Sequence, residues 1–246
     1  MAGTNHVTVD GDIKFGRDMP LEAMKNISED EAVQSLKEYF EVQSNGRPLY
    51  TGSRFETLAG GGSAEPNRIT SSDLIAVSML AVHVPAQAGL GILGPMSEKI
   101  ERLLYRIPVD AKLEELTQAE YNQLLGEGSP AEDLWFLLRQ KSDRWKVGQT
   151  TASKILARKR PHLIPVYDSV VKKQTKLSGS GLQWQRWFDA FHSGEDGTLA
   201  TDLRSIREKS SQHHLSLIRV LDIVLWMHGR RGAEVVETVG DDDSGS

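Results

Sequence analysis

Apolar positions recur at helical spacing along most of this chain, and polar capping residues mark where many of the runs begin. Ser28-Glu29-Asp30-Glu31 reads as a capping box opening a helix through about Phe40, with Ala32, Leu36 and Phe40 forming its inward stripe. Ser71, Ser72 and Asp73 open SSDLIAVSMLAVHV, which is apolar on nearly all sides and predicts a central, buried helix ending at Pro85. SEKIERLLYRI is amphipathic and stops at Pro108, and Thr117 with Glu120 makes a capping box for TQAEYNQLL. Ser129-Pro130-Ala131-Glu132 supplies a cap, a first-turn proline and a glutamate to a helix that continues through LWFLLRQK, to about residue 141. Further helices are predicted at about 150–159, 168–177, 182–192, 198–209 and 213–228, the last closed by Gly229 at its C-cap.

No alternation supports a large sheet, and no internal repeat is present. The pattern therefore predicts a mainly α fold, a compact helical bundle with a short irregular or β-containing N-terminal region, where HVTVDGDIKF allows a strand pair. A turn-rich connection from Ser44 to Asn67 includes Gly60, Gly61 and Gly62, and long connections of this kind are often functional. Three regions result: 1–67, an N-terminal helix and long loop packing on the core; 68–231, the helical domain; and 232–246, a disordered acidic tail.

Composition narrows the chemistry. The 246 residues are 39% hydrophobic, enough for a sizeable core. There is no cysteine, which removes disulfides, thiolate zinc sites, a cysteine nucleophile and a cysteine-ligated iron–sulfur cluster. MAGTNHVTVDGD is not a signal peptide, and no apolar stretch approaches the roughly 18 residues that span a bilayer, so a soluble cytoplasmic protein without a membrane partner is expected. His213 and His214 point about 100° apart on a helix and have no third ligand at suitable spacing, so no metal is expected. The aromatic residues of LQWQRWFDAF, with Trp135, Phe136 and Trp226, have the spacing of core residues. Tyr50, Arg54 and Glu56 allow two roles, lining a pocket or knitting the long loop to the domain, and the second is favoured.

Charge is unevenly distributed. The formal net charge is −5, yet residues 141–176 hold ten Lys and Arg against Asp143 and Asp168 alone. This predicts an anion-binding surface within an otherwise acidic protein. Inside it, Val147-Gly148 makes a turn directly before a helix, where glycine permits close backbone approach and the first N–H groups favour a phosphate. Arg160-Pro161 ends that helix, LIPV follows, and Asp168 stands where another helix begins. Asp is also a favoured N-cap, and the two roles are compatible.

The hairpin and acid together resemble the helix-hairpin-helix DNA glycosylase superfamily, the group of endonuclease III and the adenine and oxoguanine glycosylases. Val147-Gly148 and Thr151-Ala152 match the V-G and T-A of its hairpin pattern, and Ile164-Pro165-Val166-Tyr167-Asp168 matches the segment carrying its catalytic aspartate. Trp145-Lys146 replaces the usual P-G, and Ser169-Val170 follows the acid where many members have T-H. Thr150 stands where bifunctional members have a lysine nucleophile, so the resemblance implies a monofunctional enzyme. It further implies a glycosylase-like fold, DNA as partner, no cofactor, and contacts to the DNA backbone through Arg144, Lys146, Val147, Gly148, Gln149, Thr150, Thr151 and Lys154. Asp168 would assist hydrolysis of an N-glycosidic bond. The alternative is a noncatalytic DNA-binding or protein-interaction module on the same scaffold. The whole chain also looks like members of a bacterial, largely actinobacterial, family of unknown function.

Overall fold

A computed structural model describes residues 19–140, 142, 144–193 and 198–241. The expected strand pair near residues 6–15 lies outside them. The architecture is all-helical, as the periodicity predicts: α1 (Met19–Met24), α2 (Glu29–Tyr39), α3 (Ser71–Ser78), α4 (Ala86–Leu93), α5 (Ser97–Tyr105), α6 (Gln118–Leu125), α7 (Pro130–Leu138), α8 (Gln149–Lys159), α9 (Ser169–Gln174), α10 (Gln183–His192), α11 (Thr198–Lys209) and α12 (Leu217–Asp241). Among the described residues, β pairing is limited to one antiparallel bridge between Val42 and Pro48.

The local caps do what their chemistry dictates. Ser28 accepts the Glu31 N–H, Ser129 accepts the Glu132 N–H, and Thr117 and Glu120 make both bonds of a capping box. The Glu31 side chain, instead of completing a box, reaches His228 on α12.

α12 is the axis of the core. Val220, Leu221, Ile223, Val224 and Leu225 are buried, and α2, α9 and α11 pack around them. Gly229 does not stop this helix, in contrast to its expected C-cap role, and helix continues through Gly232 to Asp241. The reason is tertiary: a Cβ at Gly229 would stand 2.6 Å from Gln174 and 2.7 Å from Val170, so the missing side chain admits α9 against α12. Residues 242–246, the end of the expected tail, lie outside the described residues.

Other elements are shorter than the pattern predicts, among them α3, α7 and α9. α3 begins after Thr70, whose hydroxyl and backbone form a capping box with Asp73, and it ends at Ser78 instead of running to Pro85. Ala81, at φ +58°, turns the chain out of the helix, leaving the Met79 and Leu80 carbonyls to side-chain donors. α7 ends at Leu138, where the Trp145 indole N–H takes the terminal carbonyl at 2.8 Å. Trp145 is itself buried and seats against α4, where a Cβ on Gly91 would come within 2.5 Å of its ring.

The basic run at the end of α8 is interior, not surface. Arg158, Lys159 and Arg160 are each 1–2% exposed. Arg158 and Lys159 share the two oxygens of buried Asp73, at 3.1 and 2.9 Å. Their remaining donors, with those of Arg160, bind backbone carbonyls of Phe55, Leu58, Gly62, Pro66, Leu104 and Ile107. Buried cations persist only when their donors are satisfied, and here the long 55–67 loop supplies most of the backbone acceptors, with Leu104 and Ile107 supplying the rest. Gly62 permits this approach, since a Cβ there would meet the Arg158 carbonyl oxygen at 1.8 Å.

Candidate functional site

Asp168 ends the extended segment Ile164–Asp168 and begins α9. Side chains from three helices hold that segment in place. Ser153 Oγ of α8 accepts the Tyr167 N–H at 2.9 Å, Asp222 Oδ2 of α12 accepts the Val166 N–H at 3.0 Å, and the Gln183 amide of α10 donates to the Val166 carbonyl at 2.9 Å. Asp168 does cap its helix, its Oδ1 accepting the Val170 N–H at 2.9 Å. Its other oxygen lies 3.4 Å from Lys154 Nζ, and the side chain remains 21% exposed.

That exposure opens onto a pocket of about 350 Å³. Its walls come from distant parts of the chain: Tyr39 on α2, Tyr50, Thr51 and Gly52 of the long loop, Leu80 after α3, Lys154 on α8, and Arg219, Asp222, Trp226 and Arg230 on α12. Tyr39 and Tyr50 stack with centroids 5.5 Å apart, Trp226 stands edge-on to both, and the Arg230 guanidinium lies over Tyr50 and Trp226. An aromatic, largely apolar recess with a few converging polar groups is the usual form of a small-ligand or nucleobase site.

The polar groups at the pocket have unlike surroundings. Lys154 is 2% exposed and donates to the Leu80 carbonyl at 2.8 Å; burial lowers its pKa, and the nearby Asp168 carboxylate opposes the shift. Asp222 is fully buried, and burial pushes its carboxyl up to about 7 despite Arg219 and the Val166 N–H, which favour the charged form. Its Oδ1 has no protein partner among the described residues. Arg219 is held by Glu56 of the long loop and by the Tyr39 hydroxyl, whose own pKa is raised by burial.

The residues expected to grip DNA divide into two sets. Arg144, Lys146 and Gly148 are exposed, at the turn before α8. Gly148 is the N-cap of α8 with no side-chain cap, and open space surrounds the place of a Cβ. Lys146 adopts φ +47°, a left-handed conformation natural to glycine, at the position where the hairpin pattern has glycine. Gln149 and Thr150 are half-buried, and the Gln149 side chain accepts from Ser180 at 2.7 Å. Val147 and Thr151 face the core. Lys154 does not join this surface: its place on α8 turns it inward to Asp168, which corrects its expected role as a phosphate contact. The anion-binding surface shrinks accordingly, because Arg158, Lys159 and Arg160 are also interior.

Tyr50 and Trp226 line the pocket, the less favoured of the two roles the sequence allows for Tyr50 and a departure from the core role expected of Trp226. Both also meet the favoured descriptions, since Tyr50 donates to Glu38 and Trp226 packs against the core. Their convergence depends on how α2, the loop and α12 pack, for which no local signal exists.

A model of a family of unknown function (DUF6308) matches residues 32–229. The chain belongs to that family. No curated protein and no solved structure matches it significantly. The matched span of this family contains Asp168, the turn at Lys146–Gly148 and every pocket residue except Arg230. Among the described residues, no helix is long and apolar enough to cross a membrane, and no three His, Asp or Glu side chains form a metal-binding group.

Proposed function

We propose that this protein binds DNA through the turn before α8 and hydrolyses an N-glycosidic bond, acting as a monofunctional base-excision glycosylase with Asp168 as its catalytic carboxylate. The observation that carries this reading is the partly exposed Asp168 carboxylate at an aromatic-walled pocket. A base extruded from the duplex needs such a recess, and the Tyr39, Tyr50 and Trp226 group offers it apolar, aromatic surface. Loss of the base places positive charge on the deoxyribose, which a carboxylate at its face stabilises. Lys154 and the Val170 N–H fix the orientation of that carboxylate. Arg144, Lys146 and the uncapped N–H groups after Gly148 present an anion-binding edge on the flanking backbone.

The test is release of a base from duplexes carrying uracil, oxidised, alkylated or mismatched bases, with wild type compared against Asp168→Asn. Abasic sites formed by the wild type and absent with the variant are expected. DNA binding without release from any duplex would sink the catalytic reading.

One observation favours a second reading, a protein-interaction module on the same scaffold. Burial of Lys154, Arg158, Lys159 and Arg160 removes four cations from the surface that a DNA duplex would meet. Absence of duplex binding at low salt, or binding that Lys146→Glu and Gly148→Asp leave intact, would remove the turn from DNA contact and favour this reading.

A further inference from the structure

Donors and acceptors on the pocket lining are unevenly matched. Its acceptors are already engaged: the Met79 carbonyl takes the Thr51 hydroxyl, the Leu80 carbonyl takes Lys154, the Val166 carbonyl takes the Gln183 amide, and Asp168 Oδ1 takes the Val170 N–H. Asp222 gives Oδ2 to the Val166 N–H and has Oδ1 sealed from solvent. Arg219 is different. It is buried, yet it commits only two of its three guanidinium nitrogens, Nε to Glu56 and Nη2 to the Tyr39 hydroxyl. Nη1, which carries two N–H donors, has no partner among the described residues and is not sealed from solvent. Of the two spaces that Arg219 borders, a crevice of about 10 Å³ and the pocket of about 350 Å³, only the pocket admits a ring. The rings of Phe55 and Tyr39 flank the guanidinium at 5.5 and 5.7 Å, so the donor is held in place.

Resting on the glycosylase reading for the occupant being a base, we infer that Arg219 selects that base, favouring a carbonyl oxygen over an exocyclic amino group at purine C6 or pyrimidine C4. The oxygen accepts from Nη1. An amino group in its place sets N–H against N–H and leaves a desolvated donor unpaired on each side. Glu56 already balances the charge of Arg219, so the choice is made by hydrogen-bond direction and not by net charge. Hypoxanthine and uracil carry the oxygen where adenine and cytosine carry the amino group. Hydrolytic deamination makes that exchange, water entering and ammonia leaving, and is the class of reaction that supplies such substrates. Guanine and thymine share the oxygen; a deaminated base in a mismatch is favoured over them because its weaker pairing makes extrusion less costly.

The test uses the full chain and two matched pairs, hypoxanthine against adenine and uracil against cytosine, each placed opposite an abasic analogue so that pairing does not bias extrusion. In single turnover, at least one oxo base is expected to be released about 100-fold or more faster than its amino counterpart. Arg219→Gln combined with Glu56→Gln removes the guanidinium without orphaning a carboxylate, and is expected to shrink that ratio to less than about tenfold; general damage would slow both bases alike. If the double variant does not fold, the unaltered protein still decides: in NMR titrations free hypoxanthine is expected to shift the Arg219 side-chain resonances and to bind at least about tenfold more tightly than adenine. Equal release of oxo and amino bases by the wild type, equal binding of the free bases, or a ratio unchanged in the folded double variant overturns the assignment and leaves the glycosylase reading standing. Preferential binding of hypoxanthine without release from any duplex overturns the glycosylase reading alone. Neither binding nor release overturns both.

Discussion

The Lys154 ammonium lies 3.4 Å from Asp168 Oδ2, and it also donates to the Leu80 carbonyl at the end of a helix cut short by Ala81. A cation that by sequence belongs to the DNA-facing set is instead the partner of the candidate catalytic acid. Lys154→Met keeps much of the buried volume and removes the charge. Because Asp168 retains solvent access, unfolding free energy in urea is expected to change by less than about 2 kcal/mol, below the roughly 3–5 kcal/mol of a fully buried orphan. Under the proposed glycosylase function, base release is expected to fall at least about tenfold as the carboxylate loses its orienting partner. Unchanged release by a folded Lys154→Met protein would remove Lys154 from the site.

Asp73 balances two buried cations, and its loss is expected to be far more damaging. Asp73→Ala leaves Arg158 and Lys159 without a counter-charge and also removes one half of the α3 capping box. A loss of about 3–5 kcal/mol is expected from the orphaned charges, read as a lower urea midpoint. Limited proteolysis within residues 55–67 should accelerate in parallel, because the same cations hold that loop. A cost under about 1 kcal/mol would contradict this account of the basic run.

Asp222 sets a pH dependence of stability whose sign follows from linkage. Its carboxyl titrates at about 7 in the folded chain against an ordinary 3.8, so between those values the folded state holds a proton that the unfolded state has released. Stability from this group is therefore greatest below about pH 4, declines as pH rises to about 7, and is level above it. The limiting slope is about 1.4 kcal/mol per pH unit. Urea titrations of wild type and Asp222→Asn should diverge over that window, the variant lacking this decline; parallel curves would refute the assignment.

At the turn before α8, backbone strain and charge can be separated at one residue. Lys146→Gly relieves the left-handed φ of +47° and is expected to leave stability unchanged or raise it by up to about 1 kcal/mol. It should also reduce the salt dependence of duplex binding by about one counterion. Lys146→Glu should weaken binding further at low salt. Equal affinities for wild type and both variants would exclude the turn from the proposed DNA contact surface.

Those elements with local signals were legible in the sequence. Ser28, Thr117 and Ser129 cap where the pattern places them, because each bond joins residues three apart. The acid segment at 164–168 is likewise readable, and Asp168 stands at a pocket, whereas the turn expected at Val147-Gly148 falls a few residues earlier, at Arg144–Trp145 with Lys146 left-handed. What could not be read depends on contacts remote in sequence. Arg158 meets Asp73 across 85 residues, so its burial has no local signature. Gly229 carries an ordinary stop signal that the approach of α9 overrides. Tyr50 and Trp226 become pocket walls only because the 44–67 connection folds back onto α12.

The bonds made by α8 have a mechanical consequence. At its middle, Ser153 and Lys154 fix the segment bearing Asp168; at its end, Arg158, Lys159 and Arg160 clamp the 55–67 loop, which continues directly from the Tyr50–Gly52 wall. One short rod thus ties together the acid and the strand of chain leading from the aromatic wall. The recess is sized before anything enters it, so selectivity among entrants should come chiefly from fit to a preset shape, with little adjustment by the wall to its guest.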